Sequence, residues 1–157
     1  MRIYAFLMVL GAVLVSSGCT EKPGQDANLT IETAGGEVHE FIVELAVDDE
    51  EQQRGLMFRE KLADERGMLF FYPRCDTAQF WMKNTYIPLD MIFIEADGRI
   101  SGIERNTEPE TLAIYRSAGP VNGVLEINGG LTQRLGIAEG DYVRHPWFGE
   151  GGKATCG

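Results

Sequence analysis

Apolar and polar residues alternate along much of the chain from Leu29 onward. Residues 29–33 alternate and end at Ala34-Gly35-Gly36. Residues 38–47 alternate again, with Val38, Glu40 and Ile42 facing away from His39, Phe41 and Val43. Two period-2 runs around a Gly-Gly pair predict a β-hairpin. Asp48 followed three residues later by Glu51 is a capping-box pattern, which predicts a helix from there to about Phe58 with Leu56 and Met57 turned inward. Asp48, Asp49, Glu50 and Glu51 complement the positive end of that helix. The apolar runs 67–72 and 78–84 predict two further strands, the first closed by Pro73 and the second by the turn from Asn84 to Pro88. Alternation places Trp81 and Lys83 on one face of the second run, with Phe80, Met82 and Asn84 on the other. Residues 89–95 and 99–104 flank Ala96-Asp97-Gly98 and predict a second hairpin. Residues 107–120 are polar with two prolines and read as a long surface loop. A strand over 121–127, a helical turn over 129–135 capped by Asn128, and a last strand over 142–145 complete the pattern. About eight short strands and two short helices imply a mostly β fold. The expected form is a small barrel-like or strongly curled antiparallel or mixed sheet, whose closure removes exposed edges.

The first 28 residues follow a different rule. Met1-Arg2 is a short positive start, residues 3–15 are apolar, and Ser16-Ser17-Gly18 precede Cys19. This reads as a secretory signal over 1–18, too short for a stable membrane span. Small residues before a cysteine resemble a bacterial lipobox, although Ser16 stands where a larger apolar residue is usual. Cys19 would then be lipidated, giving a membrane partner through the anchor, because several acyl chains hold a protein to a bilayer stably. Thr20 rather than Asp follows the cysteine, which by resemblance to enterobacterial sorting favours the outer membrane and a periplasm-facing domain. Residues 19–28, polar with Pro23 and Gly24, read as a flexible tether. Residues 29–145 form the single expected domain, and 146–157 a tail without assigned role. Cys75 and Cys156 remain in an oxidising compartment, either as a disulfide or as two free thiols.

Composition narrows the function classes. The chain has 157 residues and a formal net charge of -10, so it is one acidic domain. That charge repels phosphate backbones and makes nucleic acid a poor partner. The two histidines, His39 and His145, stand far apart. There is no HExxH, CxxC, G-x-S-x-G or phosphate-cradling glycine loop, and no metal or cofactor is expected. Met57, Met68, Met82 and Met91 would suit Cu(I), but each lies in an apolar run and reads as core filling.

RGLMFRE (54–60), GMLFFY (67–72), FWMKNTYIPLDMIFI (80–94), VLEINGG (124–130) and LGIAEGDYV (135–143) occur in this order. Together they closely resemble the bacterial and archaeal family known as domain of unknown function 192, over roughly residues 29–144. The resemblance implies a compact barrel-like β domain with a helix, and it implies no settled function. The chain beyond His145, with Phe148 and Cys156, lies outside the resembling segment.

Charges inside apolar strands are the candidate chemistry. Asp90 lies between Leu89 and Met91, Glu126 between Leu125 and Ile127, and Lys83 beside Met82. Arg54 stands three residues before Met57. A carboxylate in such a place must be hydrogen-bonded or ion-paired, or its pKa rises. The residues could neutralise one another as a structural network of an envelope module without a ligand. Alternatively, Arg54, Lys83, Asn84, Asp90 and Glu126 could floor a pocket for a small polar, carbohydrate-like ligand, with Trp81 and Tyr86 as stacking surface. A third reading pairs Asp90 with Glu126 as a glycan hydrolase would. Binding without catalysis is the expectation.

Overall fold

The computed structural model describes residues 26–149. Cys19, Cys156, the residues expected to be a signal peptide and most of those expected to be a tether lie outside the described residues. Seven strands, β1 (Asp26–Glu32), β2 (Val38–Ala46), β3 (Arg66–Phe80), β4 (Leu89–Ile94), β5 (Ile100–Glu104), β6 (Tyr115–Asn128) and β7 (Tyr142–Arg144), form one sheet in the order β5-β4-β6-β3-β2-β1-β7. The pairs are antiparallel except β2 with β3. The outermost strands meet through an Arg99–Tyr142 bridge, with Ile100 N donating to Asp141 O at 2.8 Å and Val143 N to Gly98 O at 2.8 Å. The sheet therefore curls into a nearly closed barrel, as expected for a mostly β chain that must hide its edges.

Both hairpins form where turn residues and alternation place them. In the first, Phe41 and Val43 point inward while Val38, Glu40 and Ile42 stay exposed. Helix α1 (Asp49–Arg54) starts as expected, with Glu51 N donating to Asp48 Oδ1 at 2.8 Å and the Glu51 carboxylate accepting from Asp48 N. It ends four residues earlier than the apolar pattern suggests, because Gly55 (φ 49°) and Phe58 (φ 63°) take left-handed backbone that stops the helix. Leu56 still buries.

Strand β3 joins the two expected strands into one. Pro73 is tolerated because the register with β6 shifts between Phe71 and Asp76, so the proline sits where the ladder is already broken. The strand stops at Phe80, and residues 81–84 leave the sheet in a turn that buries Met82 and exposes Trp81 and Lys83. Strand β6 begins at Tyr115, so the last six residues of the expected loop pair instead with the far end of β3. The second helix, α2 (Leu131–Arg134), is preceded by Gly130 and has no side-chain cap from Asn128, whose amide reaches Leu62 O at 2.8 Å.

Two apolar clusters lie on the two faces of the sheet. The inner one fills the barrel with Leu29, Ile31, Phe41, Val43, Leu69, Ile92, Ile94, Leu125 and Ile127, and it draws in Trp147 and Phe148 from beyond His145. Trp147 packs on Phe71 at 4.4 Å between ring centroids. A Cβ on Gly123 would stand 2.7 Å from the Phe148 ring, so only glycine admits that ring. The outer cluster covers β3, β6 and β4 with Leu56, Met68, Phe70, Met82, Met91, Phe93 and Val124. Three of the four methionines considered for copper, Met68, Met82 and Met91, are thus core filling.

Candidate functional site

Register decides which charged residues can meet. On β4 and β6, Met91 stands opposite Glu126 and Asp90 opposite Ile127. Directly opposed residues share a face and successive residues alternate, so Asp90 and Glu126 project to opposite faces of the sheet. A hydrolytic carboxylate pair across one cleft is therefore excluded by the pleat. Among the described residues neither carboxyl takes a hydrogen bond from a basic side chain, so the two acids are not neutralised by Arg54 or Lys83.

Asp90 is fully buried at one end of the barrel and completely satisfied. Its Oδ1 accepts from Asn106 N at 2.9 Å and Gly130 N at 2.8 Å; its Oδ2 accepts from Thr132 N at 2.9 Å and Thr132 Oγ1 at 2.6 Å. The carboxylate supplies the cap that α2 lacks locally and ties it to β4 and the segment after β5. Arg105 Nε donates to Thr132 Oγ1 at 3.1 Å, which leaves that hydroxyl's proton for Asp90.

Glu126 has the opposite environment. It lies on the outer face between Met68 of β3 and Met91 of β4, only 4% exposed. Among the described residues no hydrogen bond or ion pair reaches its carboxyl group, whose oxygens are not sealed off but open into a pocket. Burial alone pushes its pKa up to about 8, so the group is largely protonated at neutral pH. The same side carries Tyr72, whose hydroxyl is pushed up to about 12, first by burial and then by the nearby Glu126 and Asp76 charges.

Glu126 lines a pocket of about 320 Å³ between α1 and the outer face of β3 and β6. Phe70, Tyr72, Phe80 and Trp81 provide aromatic wall, and Gln52, Arg54 and Gln79 provide polar wall. Gly55 keeps the floor open: a Cβ there would stand 3.3 Å from Phe70 and 4.0 Å from Glu126 Oε2. Gln52 anchors the helix to the sheet by donating to Ala46 O at 3.3 Å and Phe71 O at 3.0 Å. Trp81 is 46% exposed at the rim, and Lys83 Nζ lies 5.1 Å from its ring centroid.

Of the seven residues named from sequence, Arg54, Trp81 and Glu126 meet in this pocket. Lys83 reaches its rim through the Trp81 ring. Asn84 sits in left-handed backbone (φ 56°), gives its carbonyl to Phe58 N at 2.8 Å, and is not in the lining. Asp90 is on the other face. Tyr86 makes an edge contact with Phe58 at 6.2 Å rather than joining the wall. Sequence reasoning missed Gln52, Tyr72 and Gln79. Tyr72 follows Met68 and Phe70 at period 2, but only pairing with β6 shows that this is the Glu126 face. Among the described residues no three of His, Cys, Asp or Glu gather to hold a metal ion. Cys75 is disulfide-bonded, and the other two cysteines lie outside the described residues.

Comparison with known proteins places this site in a family. The model of domain of unknown function 192, described as Uncharacterized ACR, matches residues 30–145. The chain belongs to this family. A crystal structure of a "putative transcription regulator" from Sinorhizobium meliloti is 43% identical, with a TM-score of 0.78 over 79% of this chain and 96% of that one. A protein of unknown function from Novosphingobium aromaticivorans is 46% identical, with a TM-score of 0.76 over 80% of this chain and 89% of that one. No curated protein matches. The matched segment includes both halves of the pocket, Arg54 and Gly55 in RGLMFRE and Glu126 in VLEINGG.

Proposed function

We propose that this chain is a lipid-anchored, periplasm-facing member of the family that binds a small polar ligand in the Glu126 pocket. One observation carries the reading: the Glu126 carboxyl group, 4% exposed and without a hydrogen-bond partner among the described residues, opens into an aromatic-walled pocket large enough for a small molecule. Buried polar groups are normally paired, and an unpaired one costs free energy that a ligand can return. Aromatic walls with a few polar groups are the usual build of small-molecule sites. The leader ending at Cys19 supports the anchor and the periplasmic side.

The transcription-regulator name of the Sinorhizobium relative does not lead to a DNA-binding proposal for this chain. The net charge of -10 opposes it, and Arg59, Arg66, Arg134 and Arg144 are each paired with a carboxylate. The test is ligand-observed NMR against monosaccharides, polyols and small amines, using wild type and Trp81→Ala. Trp81→Ala should abolish the signal while costing about 1 kcal/mol or less, because the side chain is half exposed. Binding that survives Trp81→Ala unchanged would move the site elsewhere.

A further inference from the structure

The Glu126 pocket also restricts the chemistry of what it takes. We propose that its ligand is a small organic cation, an aliphatic amine on an apolar or aromatic body, whose ammonium group meets the Glu126 carboxylate. This inference rests on the ligand-binding reading above and narrows it.

Among the described residues no donor reaches Glu126. Its strand neighbours Met68 and Met91 are apolar, and no hydrogen bond reaches the carboxyl among the described residues. The nearest polar residues on α1 do not compensate. The Gln52 amide nitrogen is committed to two backbone carbonyls, which leaves the side-chain oxygen, an acceptor, as its remaining polar atom. The Glu126 carboxyl therefore lacks a bonded donor and a counter-charge among the described residues, and an ammonium group brings both. Phe70, Tyr72, Phe80 and Trp81 present π faces and edges to the rest of the ligand, and aromatic faces attract cations. Trp81 already holds the Lys83 ammonium at 5.1 Å, which shows that its face accepts a cation. The net charge of -10 favours the approach of cations to the protein as a whole.

The other titratable or charged groups around the pocket are Tyr72 on β3, Asp49 and Arg54 on α1, and Lys83 at the rim on Trp81; β4 contributes only Met91 opposite Glu126. Tyr72 keeps its proton throughout the neutral range. Asp49 and Arg54 are exposed and of opposite sign, whereas Glu126 is buried. A cation entering the pocket requires Glu126 to ionise, and one proton leaves as the ligand binds. A neutral polyol requires no such release.

Calorimetry with benzylamine, benzyl alcohol and methyl glucoside in phosphate buffer tests this. Benzylamine should bind about tenfold or more tightly than benzyl alcohol near pH 8, since charge-assisted hydrogen bonds are roughly twice as strong as neutral ones. Its affinity should weaken about tenfold or more toward pH 6, where Glu126 holds its proton, while benzyl alcohol shows no such fall. Glu126→Gln should remove both the preference and the pH dependence without loss of folding, because a neutral isostere replaces a buried acid. Equal or better binding of benzyl alcohol or methyl glucoside, lost in Trp81→Ala, would overturn the cation assignment and leave the binding reading standing. Benzylamine binding undiminished in Glu126→Gln would also overturn it. If none of the three probes binds, both readings fall.

Discussion

Asp90 offers the sharpest test of how this barrel is held together. Its carboxylate accepts four hydrogen bonds of 2.6 to 2.9 Å from Asn106, Gly130 and Thr132, all inside the protein. Asp90→Ala would leave three backbone N–H groups and one hydroxyl without this acceptor. Each buried group left unsatisfied costs roughly 1 to 3 kcal/mol, but the four act as one unit and water can partly enter the vacated space. The expected loss is therefore about 3 to 5 kcal/mol rather than the sum. Asp90→Asn should cost less, about 2 to 3 kcal/mol. Its one carbonyl oxygen can keep the bonds from Asn106 and Gly130, while its amide faces the Thr132 N–H donor to donor. Urea unfolding gives the two values directly, with an unchanged m-value confirming that the unfolded state is not altered. Thermal melts should follow at roughly 4 °C per kcal/mol for a domain of this size. An Asp90→Ala variant within about 1 kcal/mol of wild type would refute the knot as a principal tie between β4 and α2.

Glu126 should behave in the opposite sense. Its folded pKa of about 8 lies above the ordinary 4.5, so the folded state holds a proton that the unfolded state releases, and stability falls as pH rises through that window. Glu126→Gln should remove the fall and be more stable than wild type by a few kcal/mol near pH 8, read by urea unfolding; equal pH slopes in both proteins would contradict the buried-acid assignment. Cys19→Ser should release the protein from the membrane fraction or leave its leader uncleaved, and a wild-type protein that mass spectrometry shows unlipidated would end the anchor proposal. Because Cys75 is disulfide-bonded, non-reducing peptide mapping should find it linked. Cys156 is the expected partner once Cys19 is lipidated; a free Cys75 in freshly isolated protein would count against the bridge.

Much of the fold was legible in the sequence because it is written locally. Both hairpins follow from alternation around glycine-containing turns, and the start of α1 follows from Asp48 and Glu51 three residues apart. These signals need no distant partner, so the mostly β, barrel-like class was readable as well. The errors fell where distant pairing overrides local pattern. Pro73 marks a strand end in the sequence, yet the bulge opposite β6 carries the chain through it; Thr107 to Pro120 looks like loop, yet its end pairs with β3.

Asp90 and Glu126 show the limit most clearly. In sequence they are the same object, an acid flanked by large apolar residues in a strand. Tertiary structure separates them completely. Register turns one into the barrel end and the other onto the outer face, and the donors that satisfy Asp90 come from residues 16, 40 and 42 positions away. Among the described residues no such donors reach Glu126, and α1 folds over it to leave a pocket instead. The amino-acid pattern determined that two carboxyls would be buried in strands. Only the assembled barrel decided that one would become a structural tie and the other an unpaired acid, because the partners of a buried charge are chosen by packing between distant segments.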